Sequence, residues 1–320
     1  MFYRLRQSIA RGAFGLWVRD IFQSPSLHLD GGQELPAIVS QVCHRDIAMY
    51  LLAVKSFARF HQLRAVFALD DGSLTAEDRE TLSAHIPGIR FFSITGFRSA
   101  ECPRGGTWER LLFIAEEVQR GYVIQLDADT LTLKPLDEVR DAVRTGHSFT
   151  LGTALGRNIV TVGEAAEAAR LATRHYESRR VKHIHIQLAA EILLDQLPMS
   201  DRSFYARGCS GFTGFARQSI GRTDVERFSR EMSTRLGRDR WNEWGSEQVT
   251  SNFLVANSAP SRVLPLPGYD TFEPYCDLTS SKFIHFLGTH RFRGGVYASK
   301  ARTVIREHLV NFAMNNVNVS

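Results

Sequence analysis

The segment Tyr122-Val123-Ile124-Gln125-Leu126-Asp127-Ala128-Asp129 decides the fold that we expect for this sequence. Its first five residues are a short, largely apolar run, typical of a buried strand, and two carboxylates follow directly. This strand is the fourth in a series in which apolar runs (37–43, 65–69, 89–94) alternate with helical spacing (46–60, a helix after Thr75, 108–119). Alternation of strands and helices predicts a doubly wound α/β fold.

The composition is that of an ordinary globular protein. The chain has 320 residues, of which 43% are hydrophobic and 23% charged, so disorder, collagen and coiled coil are excluded. The net charge of +5 comes mostly from arginine, since only five residues are lysine. Arginine binds phosphate well. The arginines are spread along the whole chain rather than clustered, so the charge does not indicate nucleic acid as a partner.

The cysteines and the apolar runs bear on the compartment. Cys43, Cys102, Cys209 and Cys276 lie far apart and form no CxxC pair, which favours reduced thiols over disulfides or a zinc site. No apolar run reaches the length of a membrane span, and the first residues lack the features of a signal peptide. The sequence therefore predicts a cytoplasmic protein.

Residues 1–22 have the pattern of an amphipathic helix. Their apolar residues recur at helical spacing, and their arginines add positive charge (Phe2, Leu5, Ile9, Ala13, Leu16, Trp17; Arg4, Arg6, Arg11, Arg19). Two interpretations remain open. The helix lies on an anionic membrane surface at the inner face of the membrane, or it packs on its own domain.

Acidic residues follow two of the predicted strands. Asp70 and Asp71 end the second strand, and Asp127 and Asp129 end the fourth. In open α/β sheets the ligand lies beyond the carboxyl ends of the strands, so both pairs point toward one crevice. Two carboxylates do not fill the shell of a divalent cation, which takes its other oxygens from phosphates and water. These residues predict a metal ion that carries the charge of a diphosphate.

The segment 122–131 resembles the metal-binding DxD stretch of GT-A glycosyltransferases, especially the glycogenin-like family eight, and the similarity extends over about residues 37–295. This resemblance implies a GT-A (Rossmann-like) mixed sheet flanked by helices, in a single large domain. Asp70-Asp71-Gly72-Ser73 looks like the DDGS sequence of family two, in which an Asp contacts the nucleobase. The resemblance implies that Asp70 meets the nucleoside and that Asp71 belongs to the same binding site. Arg110 stands where such enzymes often carry a basic residue near the nucleotide.

The segment His285-Phe286-Leu287-Gly288-Thr289-His290-Arg291 is similar to the family-eight pattern H-x-x-G-x-x-K, although the Pro-Trp that usually follows is absent. The resemblance implies that His285 completes the metal shell and that Arg291, in place of lysine, meets the diphosphate. Gly288 allows the backbone to approach a ligand closely. Taken alone, a histidine at the end of a buried strand is also typical of a core residue.

Two further segments resemble the acceptor side of these enzymes. Gly208-Cys209-Ser210-Gly211-Phe212 is similar to their Asn-Ser-Gly strand without the Asn, which implies that Ser210 and Gly211 lie on the acceptor side. Trp244-Gly245-Ser246-Glu247-Gln248 looks like their GDQ helix start, with Glu for Asp. We therefore expect Glu247 or Gln248 to face the sugar or the acceptor, and Glu247 is the nearest general base if the reaction inverts.

Together these residues predict a glycosyltransferase dependent on Mn²⁺ or Mg²⁺ that moves a sugar from a nucleotide diphosphate sugar, by resemblance a UDP-sugar, to an acceptor hydroxyl. The acceptor expected is a glycan or lipid-linked molecule in polysaccharide biosynthesis, and the resemblance favours retention. We expect four parts: an amphipathic N-terminal segment (1–32), a nucleotide-sugar half (33–135), an acceptor half (136–298) and a C-terminal helix (299–320). A non-catalytic nucleotide-sugar-binding protein and a nucleotidyltransferase are the alternatives.

Overall fold

The apolar runs of the sequence form the strands of a computed structural model that describes residues 2–178, 183–198, 203–258 and 260–310. In chain order the strands are β1 (Ala37–Val42), β2 (Ala65–Asp70), β3 (Arg90–Ser93), β4 (Val123–Leu126), β5 (Thr130–Thr132), β6 (Ser148–Leu151), β7 (Ile159–Thr161), β8 (Phe204–Ala206), β9 (Cys209–Phe215), β10 (Ser261–Leu264), β11 (Tyr269–Thr271) and β12 (Phe283–His285).

The helices occupy the segments between these strands. In chain order they are α1 (Phe2–Trp17), α2 (Ile47–Ala58), α3 (Ala76–His85), α4 (Trp108–Glu117), α5 (Asp137–Thr145), α6 (Val162–Ser178), α7 (Ile186–Glu191), α8 (Arg222–Leu236), α9 (Arg238–Trp241), α10 (Ser246–Asn257) and α11 (Val296–Thr303). Helix α11 continues as a π-helix over Val304–Val310. No helix in the described ranges is both long and apolar enough to cross a membrane.

One compact unit contains the described residues of 2–93, 126–140 and 267–310. Its strand β2 lies between β1 and β3, and all three are parallel. A smaller sheet places β12 between β11, which is parallel to it, and β5, which is antiparallel. Helix α2 covers β5, where the Ser56 hydroxyl accepts a hydrogen bond from the Thr132 amide at 3.2 Å.

The other compact unit contains the described residues of 94–125 and 141–266. Its main strands have the order β10-β6-β9-β4. Strand β6 is parallel to β10 and antiparallel to β9, so the sheet is mixed. A separate antiparallel pair joins β7 and β8. The predicted fold class, α/β with a mixed sheet flanked by helices, is confirmed.

Local sequence signals explain where several helices begin. Thr75 accepts a hydrogen bond from the Asp78 amide, and the Asp78 carboxylate accepts one from the Thr75 amide, which is the capping box expected from this spacing. The last helix begins at Val296, before the predicted start at 299, because Gly294 and Gly295 both adopt positive φ and end the preceding loop. Its predicted end at 320 lies outside the described residues.

One predicted helix is wrong in extent. The spacing predicts a helix over 183–197, but α7 covers only Ile186–Glu191. His185 precedes it and caps it, since its ring nitrogen accepts a hydrogen bond from the Gln187 amide at 3.2 Å. His183 lies outside the helix and contacts Glu243. His183 and His185 therefore both precede the first turn of α7.

Candidate metal centre and active site

A tight turn presents the two aspartates that follow β4. The Asp127 carbonyl accepts hydrogen bonds from the amide and the hydroxyl of Thr130, at 3.2 and 2.8 Å. Strand β4 is fully buried, so the chain emerges from the interior as it reaches these carboxylates. The Asp129 side chain remains buried, with 7% of its surface exposed, whereas Asp127 is more open at 28%.

The pairing of β12 with β5 brings His285 to these aspartates. His285 lies opposite Thr130 in the antiparallel register, and the next amide, that of Phe286, donates to the Asp129 carbonyl at 2.8 Å. His285 Nε2 consequently lies 3.2 Å from Asp129 Oδ1 and 3.6 Å from Asp127 Oδ2. The three residues therefore converge although His285 is distant in sequence.

Arg291 completes the cluster from the loop after β12. Its Nη2 lies 2.5 Å from Asp129 Oδ2, and its Nε donates to the Phe286 carbonyl at 3.1 Å. Gly288 begins this loop with φ +61°, and no atom lies within 4 Å of the position that a Cβ would occupy there. The loop thus holds a guanidinium against Asp129 and leaves open space beside Gly288.

The charges in the cluster act on one another. Burial alone raises the pKa of the Asp129 carboxyl, but its electrostatic interactions with His285 and Arg291 and its hydrogen bond with His285 outweigh burial and lower it to about 2. Tyr297 is fully buried, and burial together with the negative charge of Asp129 raises the pKa of its hydroxyl. Asp129 is therefore an anion over the whole physiological pH range.

The donor set fits a divalent cation. Asp127, Asp129 and His285 each offer one ligand atom, and these atoms lie within 4.8 Å of one another. Carboxylates suit Mg²⁺ and Mn²⁺, and an imidazole ligand favours a transition metal such as Mn²⁺ over Mg²⁺. Two carboxylates and one imidazole would leave further coordination positions open on such a cation.

The second acidic pair orders its own turn. Asp70 Oδ1 accepts hydrogen bonds from the amides of Gly72 and Leu74 at 2.8 and 3.2 Å, and its Oδ2 accepts one from Arg79. Asp71 is exposed, and its Oδ1 accepts from the amide and the hydroxyl of Ser73. Asp70 is thus a structural residue of this turn, and Asp71 is the member of the pair that reaches solvent.

Two residues that flank the predicted site, His44 and Arg293, are both exposed. His44 Nδ1 lies 2.7 Å from Asp78 Oδ2, so this histidine joins the cap of α3. Arg293, two positions after Arg291, is exposed.

The predicted acceptor-side residues meet one another in the other unit. Glu247 Oε2 accepts hydrogen bonds from the hydroxyls of Thr107 and Ser210 at 2.9 and 3.2 Å. Gln248 Oε1 accepts one from the Ser210 amide at 3.3 Å. Glu247 is 2% exposed, and Gly211 is buried beside Ser210 in β9. The segments 208–212 and 244–248, chosen from sequence, are therefore neighbours.

Arg110 is also part of this unit. It lies in the first turn of α4 and is 3% exposed. The residue before this helix, Thr107, has φ +74° and follows Gly105 and Gly106, which also have positive φ. A strained backbone of this kind is typical of functional loops.

The sequence interpretation missed two residues that contact the predicted ones. Thr107 donates to Glu247, and Gln187 accepts a hydrogen bond from Gln248 at 3.1 Å. Only Thr107 carries a signal in the sequence, since the preceding Gly105-Gly106 indicates a special loop.

No protein-family model and no curated protein matches this sequence. Among solved structures the chain is similar to the galactosyltransferase LgtC bound to donor and acceptor sugar analogs, with 12% identity over 83% of this chain and 95% of LgtC, and a TM-score of 0.43.

Two more solved structures are similar to the chain. Mouse xyloside xylosyltransferase 1 in its apo form is 12% identical over 78% of this chain and 97% of its own, with a TM-score of 0.43. Core-mannan synthase A from Aspergillus fumigatus in its Mn/GDP form is 13% identical over 77% and 82%, with a TM-score of 0.41. Similarity at this level does not assign a reaction, so function has to follow from the side chains.

Proposed function

We propose that this protein is a metal-dependent glycosyltransferase of the GT-A fold that moves a sugar from a nucleotide diphosphate sugar to an acceptor hydroxyl. The observation that carries the proposal is the convergence of Asp127, Asp129 and His285 with the guanidinium of Arg291. A cation site beside a fixed arginine has the charge pattern needed to bind a diphosphate. The sequence predicts a role for Asp127-Ala128-Asp129 and for the segment 285–291 independently, and the two segments are in contact in the structure.

The residues of this cluster have distinct roles. Asp127, Asp129 and His285 hold a divalent cation, which supplies neutralisation of the diphosphate charge. Arg291 stabilises the leaving diphosphate as the bond between sugar C1 and phosphate oxygen breaks, because its Nε bond to the Phe286 carbonyl fixes the guanidinium in advance. The electron pair of that bond stays on the diphosphate, which accepts the proton of the acceptor hydroxyl as the acceptor oxygen forms the new bond to C1. Gly288 leaves room for the phosphates.

The cation in this proposal is Mn²⁺. Mg²⁺ prefers oxygen ligands with strict octahedral geometry, whereas His285 contributes a nitrogen. The imidazole is 4% exposed and held by β12, so it is a fixed ligand rather than a mobile surface group.

The nucleoside lies against the turn that follows β2. Asp70 shapes this turn through its hydrogen bonds to Gly72 and Leu74, and the exposed Asp71 contacts the nucleoside. We also propose that Arg110 is a basic residue that lies near the nucleotide. UDP is the nucleotide that the resemblance to family eight favours.

The acceptor-side residues are Ser210, Gly211, Glu247 and Gln248, and the reaction proceeds with retention. Two hydroxyls already donate to Glu247, and the carboxylate is buried. A general base in an inverting enzyme has to reach the acceptor hydroxyl. Because Glu247 already accepts these two hydrogen bonds, we assign it a positioning role and not that of a general base. A reaction without a general base is consistent with retention, as in family eight. The acceptor is a hydroxyl of a glycan or a lipid-linked molecule of polysaccharide biosynthesis, on the cytoplasmic side of a membrane.

A thermal-shift screen of UDP-, GDP- and TDP-sugars with and without Mn²⁺ tests the donor class. We expect UDP-sugars to raise Tm only when Mn²⁺ is present, because the diphosphate bridges to the protein through the cation. Stabilisation by GDP- or TDP-sugars instead of UDP-sugars would show that the donor nucleotide is not UDP. No Mn²⁺-dependent stabilisation by any donor would contradict the proposal.

NMR of the first product of donor hydrolysis tests the stereochemistry. An α-donor should give the α-anomer first. A β-anomer would show inversion and would return Glu247 to the role of general base. Tight binding of a donor with no turnover would identify a nucleotide-sugar-binding protein instead of an enzyme.

A further inference from the structure

Helix α1 exposes a stripe of large apolar side chains. Ile9 is 64% exposed, Leu16 69% and Trp17 51%. Positions i, i+7 and i+8 lie on one face of a helix, so these residues form a single surface, which we call the outer face. Large apolar side chains that share one exposed face are unusual on a soluble surface and indicate a partner.

The opposite face of α1 already packs against its own unit. Phe14 is 3% exposed, and its ring centroid lies 5.4 Å from that of Phe292 and 4.4 Å from that of Tyr297. Val18, just after the helix, is fully buried. Packing on its own unit therefore accounts for one apolar face of α1, and the outer face remains available for another partner.

The sequence of α1 carries positive charge. Residues 1–19 contain four arginines and no Asp or Glu, and Arg19 is exposed. Arg11 is on the inner side, where it contacts Asp46. An apolar stripe that includes a Trp, in a helix rich in arginine, matches the chemistry of an anionic lipid surface, in which rings enter the headgroup region and cations meet phosphates.

We infer that the outer face of α1 docks on an anionic membrane surface. The helix has a fixed orientation for this contact, because its inner face holds it against Phe292 and Tyr297. Two interpretations of the N-terminal segment were open from sequence, and the structure makes them compatible: one face packs on the domain, and the other meets the lipid.

The docking helix and the metal ligands belong to one packed cluster. The Tyr297 ring stacks on Phe286 with 4.2 Å between centroids, and the Phe286 amide donates to the Asp129 carbonyl at 2.8 Å. Phe14 of α1 packs on the other side of Tyr297. A membrane bound to the outer face therefore meets the protein at a defined orientation relative to Asp129.

Vesicle flotation with the full chain tests this inference. The vesicles are made of phosphatidylcholine alone or of phosphatidylcholine mixed with phosphatidylglycerol. We expect binding to the anionic vesicles only, and weaker binding as salt is added, because salt screens the arginine–phosphate attraction. The Trp17 emission should shift to shorter wavelength on binding, and a Trp17→Phe variant identifies that signal among the other tryptophans.

The decisive variant is Leu16→Gln with Trp17→Gln. Gln is a good helix former, so the helix should persist, which far-UV circular dichroism checks. We expect binding to the anionic vesicles to fall by about tenfold or more, since two large apolar groups are lost. Leu171→Gln on α6 is the matched control, because Leu171 is 56% exposed but lies outside α1, and its binding should equal that of the wild type.

Two results would overturn the inference. One is that the wild type does not bind the anionic vesicles, or that the double variant binds them as strongly as the wild type does. The other is a wild-type dimer in size-exclusion chromatography that becomes monomeric in the double variant without any vesicle binding, which would make the outer face an interface between two copies. Turnover of a soluble nucleotide sugar is measured separately, so failure of membrane binding and failure of the proposed enzyme activity are distinguishable.

Discussion

Asp129 Oδ1 and His285 Nε2 lie 3.2 Å apart although 156 positions separate the two residues in the chain. The pairing of β5 with β12 produces this contact, because it places His285 opposite Thr130, next to Asp129. Both side chains are buried, so the contact is a fixed feature of the site and not a chance approach of two surface groups. The metal hypothesis depends on this pair.

The variant His285→Gln should weaken Mn²⁺ binding. Removal of the imidazole takes away the nitrogen atom among the three proposed ligands, and we expect the Kd for Mn²⁺ to rise by about 10- to 100-fold. Electron paramagnetic resonance of free Mn²⁺ measures this Kd directly. His147→Gln is the matched control, since His147 lies outside the cluster and its ring contacts Thr145. An unchanged Kd in His285→Gln would remove this histidine from the metal shell.

The variant Arg291→Met should change metal binding and turnover in opposite directions. Loss of the guanidinium leaves the charge of Asp129 without this compensating partner, so Mn²⁺ should bind more tightly. The value of kcat should fall by about 10²–10³-fold, because the leaving diphosphate loses a fixed hydrogen-bond donor. Steady-state kinetics and the Mn²⁺ titration provide the two numbers. Arg293→Met is the control and should reduce kcat much less. A parallel loss of both properties would indicate that Arg291 is structural.

His61 should make stability depend on pH. The ring is buried and stacks on Phe57 at 4.5 Å, and burial, together with the charge of Arg140, lowers its pKa to about 4. Between that value and the unfolded pKa of about 6.5 the unfolded chain binds more protons, so stability falls as pH falls through this window. The full loss is about 3 kcal/mol.

Urea unfolding across this pH range measures the dependence on His61. In His61→Phe the free energy of unfolding should fall less over the same range, because the titrating group is absent. Equal slopes for wild type and variant would show that other groups cause the pH dependence.

The capping box of α3 should contribute to stability. Thr75→Ala removes the hydroxyl that accepts from the Asp78 amide at 3.1 Å, and we expect the free energy of unfolding to fall by about 1 kcal/mol. Thr75→Ser keeps the hydroxyl and should retain most of the stability. Equal losses in both variants would show that the methyl group, and not the cap, is responsible.

Local features of the fold follow from the sequence because local chemistry determines them. The buried run of β4 and the capping residues of α3 each act within a few neighbours, so their periodicity and spacing predict them. The helix predicted at 183–197 is shorter in the structure, because His185 caps α7 at its start. A capping histidine gives no clear signal in sequence, so this start could not be predicted.

Features that depend on tertiary pairing do not follow from local sequence. No spacing rule relates Asp129 to His285, and only the resemblance to a family pattern linked them before the antiparallel register was known. Amphipathicity showed that α1 is a helix, but Phe14 and Ile9 are both apolar, so the sequence did not reveal which of them packs inward.

Release of nucleoside diphosphate from a UDP-sugar tests the central claim most directly. Turnover should require Mn²⁺, should stop when EDTA is added, and should fall by about 10³-fold or more in Asp129→Asn, because the substitution removes a ligand charge that no neighbour replaces. Asp137→Asn, an exposed aspartate paired with Arg140, is the control and should match the wild type. Turnover by Asp129→Asn at the wild-type rate, or full turnover in EDTA, would contradict the account.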